Sequence, residues 1–259
     1  MTLGLMTFKR VVNFLRNAIE YRFRRARLSS LPPKVIVDTT NVCNLRCPLC
    51  MTGAGLSTQR LGYMKFDTFN RFFDQVKDRV LLVNLFNWGE PFLSPHVFRI
   101  IDAIKESGAI SHIHSNFSLK KEGLAEKIAE SNLTSLVLSI DGASSETYQT
   151  YRKRGDFDLV INNVRRFIAR RRQLGKKFPE IVWKFIVHKH NEHELSKAEA
   201  MAQACGVDKF QLTPIWADLA PGVSDKPRQD QWADEWLPVK ETDFRFDTRK
   251  EPLFETACP

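Results

Sequence analysis

Apolar residues along this chain alternate between two spacings. Short β-branched or apolar runs at 34–40 (KVIVDTT), 80–86 (VLLVNLF), 109–115 (AISHIHS), 134–140 (TSLVLSI), 180–187 (EIVWKFIV) and 207–213 (VDKFQLT) read as strands. Between them the apolar positions recur every three or four residues. Phe69, Phe72, Phe73 and Val76 do so within 66–79, and 95–108, 121–131, 156–175 and 191–206 also read as helices. Pro95 opens one of these and Gly108 closes it, while Gly175 ends the longest, which is how helices start and stop. About six strand–helix steps follow one another with no repeat of fixed period. Such alternation predicts an α/β fold, a parallel sheet with helices packed outside it, either open or curled into a barrel. From position 216 onward the periodicity stops, and the Pro-, Asp- and Trp-rich chain reads as a linker or irregular cap.

The totals narrow the class. A chain of 259 residues with 43% hydrophobic content can bury a sizeable core in one large domain, or in one domain plus an appendage. Charged residues make up 27% and no low-complexity tract is present, so most of the chain should fold. The apolar runs are too short to span a bilayer, and Lys9, Arg10 and Arg16 interrupt the N-terminal ones, so neither a transmembrane segment nor a signal peptide is expected. The net charge of +9 has two concentrations, at 8–27 and at 165–177. Each marks either an anionic partner (nucleic acid, membrane lipid or an acidic substrate) or a solvated helix face.

Cysteine use is lopsided: of five cysteines, Cys43, Cys47 and Cys50 fall within eight residues, spaced C-x3-C-x2-C. A disulfide framework would spread an even number along a short secreted chain, so a reducing cytoplasm is expected, with thiols that bind metal or do redox chemistry. In parallel α/β folds ligands bind at the carboxyl ends of the strands. The cysteine loop follows the first predicted strand, NWGEP (87–91) the second, SNF (115–117) the third, SIDG (139–142) the end of the fourth, and HKHNEHE (188–194) the fifth. The unusual residues therefore share one end of the sheet. Three thiolates leave a metal site one ligand short. Either a fourth ligand comes from elsewhere, with Cys205 or His188, His190 and His193 as sources for a zinc knuckle, or one coordination position stays open for a substrate. Asp141 before Gly142 reads as a turn residue, and Cys205 at a helix end as a packed small hydrophobe.

CNLRCPLC after a strand resembles the cluster motif of the radical SAM superfamily, C-x3-C-x-Φ-C. NWGEP resembles that family's G-G-E-P segment and SNF its third-strand asparagine motif. SIDGASSETYQTYRKRGDFDLVINNV resembles its fourth-strand serine–aspartate stretch and the helix beyond. The matches come in the family's order and cover roughly residues 30 to 215. The resemblance implies a partial (β/α)6 TIM-like barrel of parallel strands, a [4Fe–4S] cluster held by Cys43, Cys47 and Cys50, and S-adenosylmethionine (SAM) on the fourth iron. It implies reductive cleavage of SAM, hydrogen abstraction by the 5′-deoxyadenosyl radical, and an electron donor such as flavodoxin or ferredoxin. Carried over by position, Leu49 takes the Φ place that packs on adenine, where an aromatic is usual. Gly89 and Glu90 meet the SAM amino group, with Trp88 standing for the first glycine. Asn116 matches the third-strand asparagine, with Phe117 where glycine is common. Ser139 and Arg152 match the pair near the SAM ribose and carboxylate.

Three segments are thus expected: a basic amphipathic helix in 1–30, the radical SAM core in 31–215, and in 216–259 an irregular tail, loosely ordered, leading toward a C-terminal cysteine-rich domain of the SPASM kind, with Cys258 as its first ligand. In the first segment Phe8, Val12, Leu15, Ile19 and Phe23 form one apolar stripe, which either packs on the barrel exterior or, through 8–27, lies on a membrane surface or a partner. The substrate is not legible; the basic surface favours an anionic one, and a peptide fits the SPASM group. A function of another class, a non-catalytic zinc-binding α/β scaffold with an anionic partner, fits the same composition.

Overall fold

The predicted strand–helix steps are all present. A computed structural model describes residues 6–215 and 234–239. In chain order it contains α1 (Phe8–Arg22), β1 (Lys34–Ile36), α2 (Phe66–Val76), β2 (Leu82–Asn84), α3 (Val97–Ser107), β3 (Ile110–Ser115), α4 (Leu124–Glu130), β4 (Ser135–Ser139), α5 (Ser145–Tyr151), α6 (Phe157–Gln173), β5 (Glu180–Val187), α7 (Leu195–Cys205) and β6 (Lys209–Pro214). Short 3-10 turns at Pro91–Leu93 and Glu192–Glu194 precede α3 and α7.

All five ladders are parallel, and the strands lie side by side in chain order from β1 to β6. An open doubly wound sheet reverses its order at a switch point. Here the winding never reverses, and among the described residues no ladder joins β6 back to β1: a partial (β/α)6 barrel. Each strand has two faces because successive side chains alternate. On β4, Leu136 and Leu138 enter the main core between sheet and helices, while Ser135, Val137 and Ser139 take the inner face. Helix α6 closes that core with Val160, Val164, Phe167 and Ile168. Its start is fixed by Asp156, whose side chain accepts from the Leu159 N–H at 3.0 Å. Trp183 on β5 is fully buried and its Nε1–H donates to the Ile140 carbonyl at 2.9 Å.

Two details depart from the sequence pattern. Strand β1 ends at Ile36 instead of continuing to 40, because Thr39 and Thr40 leave the ladder to hold a long loop: the Met64 N–H donates to the Thr39 carbonyl, and Thr40 bridges Tyr63. Helix α5 gives no apolar signal, since its buried residues are Thr147, Tyr148 and Tyr151; its stop-start cue is Ser144, which caps the Thr147 N–H at 3.3 Å.

The two basic concentrations behave differently. In 165–177 the guanidinium of Arg166 pairs with Glu126, Arg170 with Glu130, and Arg171 with Asp208, so this stretch largely glues α6 to α4 and to the turn before β6. Helix α1 instead docks through a polar stripe, Arg10, Asn13, Asn17 and Glu20. Arg10 donates to the Lys77 and Ser107 carbonyls at the ends of α2 and α3. Asn13 exchanges hydrogen bonds with Leu31, and Glu20 accepts from the hydroxyls and N–H groups of Ser29 and Ser30. Packing of the apolar stripe on the barrel, one of the two expected arrangements, is not what the helix does. Among the described residues no helix is long and apolar enough to cross a membrane.

Part of the C-terminal tail is not loose. Trp236 and Leu237 are buried in a small apolar cluster apart from the main core, and the Lys189 N–H donates to the Trp236 carbonyl at 2.9 Å. Cys258 lies outside the described residues.

Candidate functional site at the carboxyl ends of the strands

The cysteine loop is held from three sides. The Arg46 N–H donates to the Lys153 carbonyl beyond α5, Asn44 Nδ2 donates to the Ser118 carbonyl beyond β3, and the Val42 carbonyl receives the Glu90 N–H beyond β2. Leu45 and Cys47 are buried in a small apolar cluster with Tyr151, Ile215, Trp236 and Leu237, and Cys43, Leu49 and Cys50 pack on its edge. All three loop thiols thus share one cluster, whereas Cys205 belongs to the main core at the end of α7. The sulfurs already attract donors: the Leu45 N–H lies 3.4 Å and Asn116 Nδ2 3.8 Å from Cys43 Sγ, and Arg152 Nη1 lies 3.7 Å from Cys47 Sγ. Burial pushes the Cys43 thiol up to about 12, and burial also raises Cys47 despite the neighbouring Arg152.

The NWGEP turn is built on the opposite wall. Asp38, just past β1, accepts from the Trp88 N–H at 3.1 Å. Gly89 has φ +122°, and a Cβ there would run into the Thr40 carbonyl oxygen, so only glycine lets this turn lie against the cysteine loop. Glu90 is 1% exposed and ties two strand ends together. Its Oε1 accepts from Ser115 Oγ at 2.8 Å and the Phe92 N–H at 3.2 Å, and its Oε2 from the Asn116 N–H at 2.8 Å. Asn116 Nδ2 then donates to Asn44 Oδ1 at 3.0 Å. Phe117, at the position where glycine is common in the resembling motif, adopts φ +54°, the left-handed conformation that glycine takes at low cost. The backbone path is therefore kept, and burial of the Phe117 ring offsets the strain.

Desolvation outweighs the hydrogen bonds at Glu90 and raises its carboxyl to about 7 from 4.5. Between those values the folded chain retains a proton that the unfolded chain has released, so the contribution of this group to stability falls as pH rises through the window. His114 and His188, held neutral by burial at about 2 and about 3, give the opposite slope below their unfolded value of 6.5. Subtracting wild type isolates the carboxyl: Glu90→Gln should gain stability relative to wild type as pH rises through the window. Urea unfolding of both chains below and above it checks this; an identical pH dependence would contradict it.

The third wall joins β4 to α5. Arg152 follows the last residue of α5, and its Nε donates to Asp141 Oδ2 at 2.6 Å. Asp141 is fully buried, and its Oδ1 accepts from the Ile186 N–H of β5 at 2.7 Å. Burial alone would depress the Arg152 guanidinium; Asp141 and the Cys47 sulfur outweigh it and hold the group well above its ordinary value. Its other N–H groups have no protein acceptor among the described residues beyond the Cys47 sulfur. Ser139 is 8% exposed on the inner face, paired across the ladder with Lys184.

Sequence reasoning assigned no chemical role to Asp141, Tyr151, Trp236, His114 or Lys184, and offered His188 only as a zinc ligand. Asp141 looked like a turn residue, although an acid directly after a buried run and eleven residues before an arginine is a usable signal. Tyr151 and Trp236 roof the thiols edge-to-face, with ring centroids 5.5 Å apart. His188 is fully buried beside both rings, its Nδ1 accepting from the His190 N–H and its Nε2 without a partner among the described residues. On the inner face His114 stacks on Phe86, with centroids 3.6 Å apart, and the half-buried Lys184 ammonium has no ion pair among the described residues. Burial lowers the Lys184 ammonium from its ordinary range.

Among the described residues no three Cys, His, Asp or Glu side chains stand ready as a single-ion site. A zinc knuckle closed on the loop thiols by Cys205 or by one of the histidines is therefore not assembled among the described residues: Cys205 lies in another cluster, and the His188 ring packs against Tyr151 and Trp236. An iron–sulfur cluster asks something else, sulfur donors at separate irons and hydrogen bonds to the sulfurs. One loop carrying three thiols, with amide and guanidinium donors aimed at two of them, fits that demand.

Residues 37–192 match the family described as the radical SAM superfamily, and the chain belongs to this superfamily of SAM-using enzymes. It is 27% identical over 186 residues to the AdoMet-dependent heme synthase of Methanosarcina barkeri, covering 71% of this chain and 51% of that protein. It is 22% identical over 213 residues to the mycofactocin maturase MftC of Mycobacterium tuberculosis, covering 75% of this chain and 50% of that one. The chain therefore spans about half the length of the curated relatives it matches. Among solved structures, Streptococcus suis SuiB bound to S-adenosylmethionine shares the fold with a TM-score of 0.62 at 18% identity, over 85% of this chain and 50% of that one. Methylornithine synthase PylB does so with a TM-score of 0.52 at 18% identity, over 82% and 60%.

Proposed function

We propose that this chain holds a [4Fe–4S] cluster on Cys43, Cys47 and Cys50, cleaves SAM reductively, and directs the 5′-deoxyadenosyl radical at a substrate that carries an anionic group. The observation that carries the reading is the gathering of three loop thiols in one apolar cluster, with Asn116 and Arg152 donors at two of the sulfurs. When bound, the cluster supplies the electron that splits the sulfonium bond of SAM; a flavodoxin or ferredoxin would deliver it. The chain's own residues bind and orient. The free N–H groups of Arg152 suit the SAM carboxylate because a planar fork can hold two oxygens. Ser139 would face the ribose and Leu49 the adenine. The Gly89 main chain would meet the SAM amino group, and buried Glu90 and Asn116 fix the walls on which these groups stand. Tyr151 and Trp236 exclude water from the thiols.

Lys184 supports the anionic substrate. A cation on the inner face beside Ser139, without a carboxylate of its own, is placed to receive one from a ligand. SuiB, which shares this fold at 18% identity with a TM-score of 0.63, has been solved with a precursor peptide, and a peptide carboxylate would meet the same demand. The test is anaerobic incubation of the reconstituted, dithionite-reduced protein with SAM. Formation of 5′-deoxyadenosine and methionine is expected; intact SAM after full reduction would refute the reading.

A further inference from the structure

Helix α1 is inside out for a helix packed on a barrel. Its polar stripe is buried, as described above, and its apolar stripe faces solvent: Phe8 is 83%, Leu15 55%, Ile19 51% and Phe23 70% exposed. On a helical wheel these four positions lie opposite Arg10, Asn13, Asn17 and Glu20. A free apolar stripe costs solubility and is kept where something covers it.

The charge around the stripe says what that is. Arg16, Arg22, Arg24, Arg25 and Arg27 surround it, and none of their guanidinium groups has an ion pair or hydrogen bond among the described residues. The single acid between positions 6 and 29 is Glu20, which is buried and spent on Ser29 and Ser30. Arg24 takes a left-handed φ of +47°, which folds the chain back so that Arg25 and Leu28 lie alongside the helix. Two open grooves result, about 670 Å³ between Tyr21, Arg24, Arg25 and Leu28, and about 330 Å³ between Leu15, Arg16, Ile19 and Arg25. The contrast with α6 is informative, since there Arg166, Arg170 and Arg171 have carboxylate partners within the fold.

We propose that the outer face of α1 and the turn after it dock on an anionic lipid surface, with Phe8, Leu15, Ile19 and Phe23 entering the acyl boundary and the arginines holding lipid phosphates in the two grooves. An apolar stripe flanked by arginines is the pattern of helices that lie in a membrane interface. A nucleic acid would use the arginines and leave the stripe in water. The docking is independent of the chemistry proposed above, because among the described residues α1 is held to the barrel by the ends of α2 and α3 and the segment before β1, away from the cysteine loop.

The experiment is flotation of the whole purified chain with phosphatidylcholine vesicles, with and without phosphatidylglycerol. Binding should be at least about tenfold stronger to the anionic vesicles, because arginines near an anionic surface are drawn to it, and should weaken with added salt. The variants Leu15→Ser with Ile19→Ser, and Arg22→Glu with Arg25→Glu, should each lose it. All four positions are outside the buried stripe, so unchanged circular dichroism will confirm that the variants fold. Absent binding, or equal binding to neutral and anionic vesicles, would overturn the proposal.

Discussion

Alanine at any one of Cys43, Cys47 or Cys50 is expected to abolish reductive SAM cleavage, while Cys205→Ala leaves cleavage intact. The reason is positional. The first three thiols sit in one cluster at the carboxyl ends of the strands, and Cys205 is buried in the main core on the far end of α7. Removing a loop thiol leaves too few ligands to hold the cluster, so the loss should be total instead of graded. Each variant is to be reconstituted anaerobically, assayed for 5′-deoxyadenosine and analysed for iron. Cys205→Ala trims only a small buried side chain, and its cost should appear in the unfolding midpoint instead. Full cleavage by any single loop variant would remove the three-thiolate assignment.

Asp141→Ala should be the most damaging polar substitution in the site. The Asp141 side chain is fully buried, and that of Arg152 is 13% exposed. Taking one partner from such a pair strands the other charge, at a cost of about 3–5 kcal/mol. The loss should exceed that of Arg152→Ala, because Asp141 also accepts the Ile186 N–H and so joins the end of β4 to β5. SAM binding separates the two roles. Arg152→Ala should keep the fold and weaken SAM by roughly 1.5–3 kcal/mol, the value of a hydrogen bond to a charged group. Urea unfolding and equilibrium binding with both variants read the difference. Equal stability of Asp141→Ala and wild type would show that the pair is not buried in solution.

How far these residues could be read beforehand follows from what each does. Six strand–helix steps were legible because each strand is an apolar run, and the site because cysteine, glycine and asparagine stand where the runs stop. Asp141 was not, because its partner lies beyond α5, a helix whose buried side is threonine and tyrosine and which leaves no apolar period. Phe117 seemed to break the asparagine motif; φ is not visible in a residue name, and a phenylalanine held in the left-handed region preserves the turn. The roof made by Trp236 comes from a stretch without periodicity, so nothing local tied it to Tyr151. For α1 the pattern showed two faces but not which one docks. That was settled by Arg10, whose acceptors are carbonyls at the ends of two helices distant in sequence.

On the proposed function the three loop thiols hold a [4Fe–4S] cluster. Iron and acid-labile sulfide, measured on the anaerobically reconstituted chain after removal of unbound metal, test it most directly. A brown protein with about four of each per chain is expected, as for a thiolate-held cluster of this type. A colourless protein carrying about one zinc and no sulfide would contradict it.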